Sequence, residues 1–218
     1  MIKNKTNTYL LATLILVAFM VLGYTVKFYP ETLTAFDQPV AHFLQQTITQ
    51  TKTETFKTIT FFGNVATISI LLLLITILLI LFKRYSEAIW LVFNTAIGSG
   101  LGNYLVKFLY HRPRPLTEHL VPADHYSFPS GHAMASILFY GSLIIVIQLI
   151  MSASSFKKII QSLLVILILL IGWSRIYLNV HYPTDIIGGY LLGSAWLIAT
   201  LPIFTKIRFI WRFKNKQN

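Results

Sequence analysis

Six stretches of this chain contain no Lys, Arg, Asp or Glu: residues 6–26, 58–82, 88–106, 125–156, 159–174 and 186–205. A bilayer core of about 30 Å takes roughly 20 helical residues at 1.5 Å each. In lipid the backbone must satisfy its own hydrogen bonds, so such stretches become helices. The fourth stretch opens with His125 and Pro129, which places its helix start near residue 131, and the short fifth one puts Arg175 at its aqueous end. The expected fold is an all-α integral membrane bundle of six helices, spanning approximately 7–26, 58–82, 87–107, 131–151, 158–177 and 184–204. Composition agrees: 55% of residues are apolar and 11% charged, where soluble domains carry about 25% charge. A soluble globule and a disordered chain are both excluded. No linker or internal repeat divides residues 1–218, so one transmembrane domain is expected, and the absence of cysteine removes disulfides and thiol chemistry.

The net charge of +11 is unevenly placed. With six spans both termini share a side, and that side holds Lys3, Lys5, Lys83, Arg84, Lys157, Lys158, Lys206, Arg208, Arg212, Lys214 and Lys216 against Glu87 alone. The other side carries 7 basic and 6 acidic residues. The termini are therefore expected in the cytoplasm of a multi-pass cell-membrane protein. In so apolar a chain the excess positive charge suggests anionic lipid headgroups and no nucleic acid. Lys3 and Lys5 before an apolar run resemble a signal peptide, but no small-x-small cleavage site precedes Lys27, so the first helix is read as uncleaved. In the long outer connection 27–57, Leu33, Phe36, Val40, Phe43 and Ile48 recur at helical spacing, which predicts an amphipathic helix on the outer interface and no obvious chemistry. Gly98, Gly100 and Gly102, and again Gly188, Gly189 and Gly193, lie inside apolar spans, where small residues let helices approach closely.

Ionisable groups at membrane boundaries are costly unless solvated or used. Here His111, His119, His125, His132 and His181 gather with Arg112, Arg114, Arg175 and Asp185 on the outer side, in three segments. Taken alone, Lys107 to Pro115 reads as an interfacial basic loop, and Pro129-Ser130-Gly131-His132 as a helix start with Ser130 at the N-cap. Residues 174–185, taken alone, read as a structural hydrogen bond between His181 and Asp185. Together they supply three cations, two histidines and a carboxylate. Lys107, Arg114 and Arg175 suit a multiply charged phosphate, with Ser130 and Gly131 at a helix N-terminus adding an anion site. His181, oriented by Asp185, is placed as nucleophile and His132 as general acid. A metal site competes poorly: the carboxylates at hand are Glu118, Asp124 and Asp185, and the surrounding cations repel a divalent ion, so a metal-independent hydrolase without a cofactor is expected.

These segments resemble the signature of the type 2 phosphatidic acid phosphatase superfamily. The chain shows Lys107 to Arg114-Pro115 with six residues between, Pro129-Ser130-Gly131-His132, and Ser174-Arg175 followed by His181 and Asp185 at the family spacing. The resemblance implies a phosphohistidine at His181, acid catalysis by His132, and phosphate binding by Lys107, Arg114, Arg175, Ser130 and Gly131. It also implies a lipid phosphate substrate at the outer leaflet, undecaprenyl diphosphate or phosphatidylglycerol phosphate among bacterial members of this plan. Family spacing selects Arg114, leaving Arg112 as an auxiliary contact. The soluble vanadate-binding relatives fit a chain with spans less well. Transfer to a lipid or sugar acceptor, or lipid binding without catalysis, are the alternatives, and oligomeric state stays open.

Overall fold

The structure is a computed structural model that describes residues 5–214 and 217. Lys3 and Lys216, two of the terminal-side cations, lie outside the described residues. All regular elements among the described residues are helices. α1 runs Lys5–Phe28, α2 Pro30–Gln45, α3 Gln50–Phe61, α4 Val65–Leu81 and α5 Tyr85–Val92; α6 spans Asn103–Tyr110, α7 Gly131–Ile150, α8 Ser155–Tyr177 and α9 Pro183–Phe213. Between α5 and α6 the wider turns of a π-helix, Phe93–Gly102, keep the chain helical from 85 to 110.

Among the described residues α1, α7, α8 and α9 are each long and apolar enough to cross a membrane. α3 and α4 qualify only as a pair bent by 44°. The expected span 58–82 is thus corrected: residues 58–61 belong to α3, and Asn64 starts α4 from an extended N-cap. α9 also runs past the expected end at 204, carrying Lys206, Arg208 and Arg212 on its last turns. The connection 27–57 does contain a helix over its apolar periodicity, α2, with Phe36 and Phe43 exposed and Asp37 buried against the bundle.

α7 is the hub, packed on α8, α9, α4, α5 and the π-helix. Leu138, Phe139 and Tyr140 on α7 are buried with Leu91 and Ile171, and Trp90 stacks on Phe204 at 4.3 Å. The glycines of α9 set how near the outer segments come. A Cβ at Gly188 would lie 2.4 Å from the Phe128 ring, and one at Gly189 2.6 Å from the Ser130 carbonyl. Phe128, itself stacked on Phe19 and edge-on to Tyr110, anchors residues 128–131 on that glycine face. Gly98 packs closely as expected, against Leu138 and Trp196, whereas Gly100 faces open space.

Candidate active site

The close fit of Ser130 on α9 puts the Ser130 N–H on the Asp185 carbonyl at 3.0 Å, which joins the second and third sequence segments. Ser130 caps α7, its hydroxyl facing the Ala133 N–H, and Pro183 occupies the first turn of α9. The first segment arrives where His111, in a left-handed conformation at φ 52°, stops α6 and turns the chain into the irregular stretch 111–130. Lys107, Arg114, Gly131, His132, Arg175 and His181 all line one cavity of about 430 Å³, and Ser130 and Asp185 lie fully buried behind it. From this polar mouth the cavity descends between α4 and the π-helix past Ser69, Leu72, Ala96 and Gly100.

His181 sits in the turn between α8 and α9. Its Nδ1 is 3.2 Å from Asp185 Oδ2, and its Nε2 is 3.3 Å from Arg114 Nη1. A guanidinium only donates and a carboxylate only accepts, so these two contacts set the tautomer: the proton is on Nδ1 and the lone pair on Nε2. Burial first, then Arg114, Arg175 and Lys107, hold the imidazole pKa well below its ordinary 6.5, opposed by a hydrogen bond with the Ser127 backbone. The neutral, attack-ready form is the resting form.

The cations are held by neutral groups. Arg114 donates to the carbonyls of Val180, Asp124 and His125, at 2.6, 2.7 and 3.1 Å, and Lys107 donates to the Tyr126 carbonyl. Arg175 donates to Thr60 Oγ1 at 2.9 Å, while its buried Nε has no partner. Three cations round one cavity, none in an ion pair among the described residues, make a receptor for a multiply charged anion. His132 Nε2 lies 2.9 Å from Asn64 Oδ1, which ties the ring to the start of α4. Among the described residues no group of three or more His, Asp or Glu has the arrangement of a metal site.

Arg112 does not reach the cavity as an auxiliary phosphate contact. It is buried on the far side of Asp185, which it grips at 2.7 Å, and it also holds Asp37 at 2.8 Å. The outer connection therefore does carry a chemically engaged residue. Its signal was present in the sequence: Asp37 follows Leu33 by four residues, an acid in register with an apolar face. Thr60 had no such signal inside the uncharged stretch 58–82, whereas Gly63-Asn64 is a turn and N-cap pattern that marks Asn64. His111 packs on Tyr126 and His119 holds the Pro115 carbonyl, so of the three histidines between residues 111 and 125 only His125 lines the cavity.

The chain is similar to several known proteins. The chain is 33% identical over 127 residues to phosphatidylglycerophosphatase B of Bacillus subtilis and 34% identical over 131 residues to an undecaprenyl-diphosphatase of Sulfolobus acidocaldarius. These alignments cover 58% and 56% of this chain, and it spans about three fifths of the length of each relative. In fold it resembles the crystal structure of a transmembrane PAP2-type phosphatidylglycerolphosphate phosphatase from Bacillus subtilis, with a TM-score of 0.81 at 22% identity over 90% of this chain and 96% of that one. LpxE of Aquifex aeolicus follows with a TM-score of 0.60 at 23% identity over 76% and 94%. The PAP2 superfamily model matches residues 87–209, more than half of the sequence and all three segments of the site, and the chain belongs to that superfamily.

Proposed function

We propose that this protein is a metal-independent membrane phosphatase that hydrolyses a lipid phosphate or diphosphate, undecaprenyl diphosphate or phosphatidylglycerol phosphate first among them, at the outer leaflet of the cell membrane. In this reading α1, the α3–α4 pair, the run from α5 to α6, α7, α8 and α9 make six spans of a single domain, with both termini in the cytoplasm and α2 at the outer interface. The phosphatidylglycerophosphatase and the undecaprenyl-diphosphatase named above act, by their names, on such lipids.

The observation that carries the reading is the His181 imidazole, with its Nε2 lone pair turned toward Arg114 and the cavity and its Nδ1 proton on Asp185. Lys107, Arg114 and Arg175 draw in the phosphate, helped by the N-terminus of α7 at Ser130 and Gly131. Nε2 attacks phosphorus, the P–N bond forms as the bond to the leaving oxygen breaks, and His132 gives that oxygen a proton. Asn64 Oδ1 accepts from His132 Nε2, so the proton given to the leaving oxygen sits on Nδ1 of the imidazolium form, which the bound phosphate anion stabilises, and Nδ1 later takes the proton of water. Water then attacks the phosphohistidine, His132 takes its proton, and inorganic phosphate leaves. The cavity's descent between α4 and the π-helix suits a substrate with an apolar tail.

The test is phosphate release by purified protein in detergent with EDTA present, across undecaprenyl diphosphate, phosphatidylglycerol phosphate, phosphatidate and a soluble ester. Release from a lipid that survives chelation and disappears in His181→Ala is expected. Activity lost to EDTA and restored by a divalent metal would falsify the metal-free mechanism. For topology, a cysteine at position 119 should react with an impermeant thiol reagent in intact cells and one at 155 should not.

A further inference from the structure

We infer that Arg112 and Asp37 are positioning residues, which hold the Asp185 carboxylate on His181 Nδ1 and so make α2 of the outer connection part of the reaction machinery. The two arginines of Arg112-Pro113-Arg114-Pro115 meet opposite edges of one imidazole. Arg114 Nη1 faces His181 Nε2 at 3.3 Å, whereas Arg112 acts from the Nδ1 side, its Nη1 2.7 Å from Asp185 Oδ1. Asp185 is thus held on both oxygens: Oδ1 by Arg112, and Oδ2 by His181 Nδ1 and the Tyr182 N–H at 2.9 Å.

Arg112 is itself fixed from three sides. Nη2 donates to Asp37 Oδ2 at 2.8 Å, Nη1 also reaches Thr184 Oγ1 at 2.7 Å, and the guanidinium lies 4.1 Å from the centre of the Tyr182 ring. Asp37 accepts from the Thr184 N–H at 2.9 Å and from the Thr184 hydroxyl at 2.8 Å. Asp37, Arg112 and Asp185 are all nearly inaccessible, at 3%, 8% and 0% exposure. A carboxylate buried this deeply stays ionised and oriented only when paired and hydrogen-bonded. Without Asp37 the guanidinium loses the partner that aims it, and without Arg112 two buried carboxylates lose the cation between them. Either change weakens the acceptor that keeps the His181 proton on Nδ1. Removing the outer partner of a working imidazole typically costs about 10- to 100-fold.

This inference rests on the proposed reaction, so its test includes a reading that does not need turnover. In detergent-solubilised full-length protein, Arg112→Gln and Asp37→Asn should lower kcat by about 10- to 100-fold, with KM and the inhibition constant of inorganic vanadate held within about twofold. Arg114→Lys should instead weaken vanadate by tenfold or more. In the Asp185→Asn background, Asp37→Asn should cost almost nothing further, because it acts through Asp185. Nitrogen-15 shifts of the His181 ring should report the Nδ1–H tautomer in the parent protein and a mixture in Asp37→Asn. That variant keeps the side-chain shape and an acceptor for the Thr184 N–H, so it remains usable if Arg112→Gln does not fold. The inference is overturned if Arg112→Gln weakens vanadate as Arg114→Lys does, if kcat stays within twofold, if the Asp37→Asn loss persists undiminished beside Asp185→Asn, or if its His181 tautomer is unchanged. A parent protein that releases no phosphate from any lipid phosphate, yet shows the tautomer shift, overturns the proposed reaction alone.

Discussion

Both ends of the helix bundle bury charge, and they do so in opposite ways. At the terminal end Glu87, fully buried, accepts from Arg208 Nε at 2.7 Å and from the Ser86 hydroxyl at 2.9 Å, Gln217 closes over Ser86, and Lys157 caps the end of α7 on the carbonyls of Gln148 and Met151. The buried carboxylate there has a cation of its own and the capping lysine sits on helix-end carbonyls. At the opposite end Lys107, Arg114 and Arg175 surround one cavity on neutral carbonyls and a hydroxyl, and the fully buried acid, Asp185, is already taken by Arg112 and His181. A matched pair is a structural lock. Cations left unmatched at a cavity are stable chiefly when an anion joins them, and that is the physical mark of a binding site.

The sharpest way to break this contrast is His181→Ala, expected to lower phosphate release by about 10⁴-fold or more, as loss of a nucleophile does. A quenched-flow search for phosphoprotein should find none. Next come Arg114→Ala and Arg175→Ala, each expected to cost about 100- to 1,000-fold in kcat/KM, the usual loss for one donor to a developing anion. Glu87→Gln should do the reverse. It leaves Arg208 unpaired and destabilises the fold by about 3 kcal/mol, read as a lower Tm, while activity per folded molecule stays at the parent level. If Glu87→Gln cut turnover as Arg114→Ala does, the two ends would not be functionally distinct.

Smaller effects test the cavity itself. Nothing lies within 4 Å of a Cβ at Gly100, so Gly100→Leu should fold normally, fill the descent beside the π-helix and lower kcat/KM for a long-chain lipid by about tenfold, sparing a short soluble ester. The smallest is a pH effect. An unperturbed histidine would lose about threefold of its neutral form between pH 7 and pH 6. Because the folded pKa of His181 lies well below 6.5, the nitrogen-15 shifts of its ring should stay those of the neutral Nδ1–H form over that interval. The sign for stability follows. The unfolded chain binds a proton that the folded ring refuses, so this contribution is complete above pH 6.5 and is lost as pH falls from there toward the folded value.

Much of the site was legible because it is written in local order. Lys107 and Arg114 seven residues apart, Ser130 as an N-cap, and His181 one turn from Asp185 are short-range relations that a helix or a tight turn converts directly into geometry. The helix over residues 30–45 was legible from its periodicity. The break at Asn64 was masked: Thr58 to Phe82 carries no charge, which favours one continuous helix, and Gly63-Asn64 alone marks a turn within it. The extension of α9 past 204 was not legible: Lys206 and Arg208 read as an aqueous end but Arg208 turns inward to Glu87.

By itself the sequence determined which side chains are too apolar for water, where the chain turns, the family it belongs to and the candidate residues for phosphate chemistry. Each of these depends on composition or on neighbours within about ten positions. Only the tertiary structure decided that Arg114 and Arg112, two residues apart, serve opposite edges of His181, and that Asp37, 148 positions before Asp185, completes the support behind it. Those pairings form because α2, the turn after α6 and the start of α9 pack together, and buried charges so placed are stable only where the packing brings each its partner.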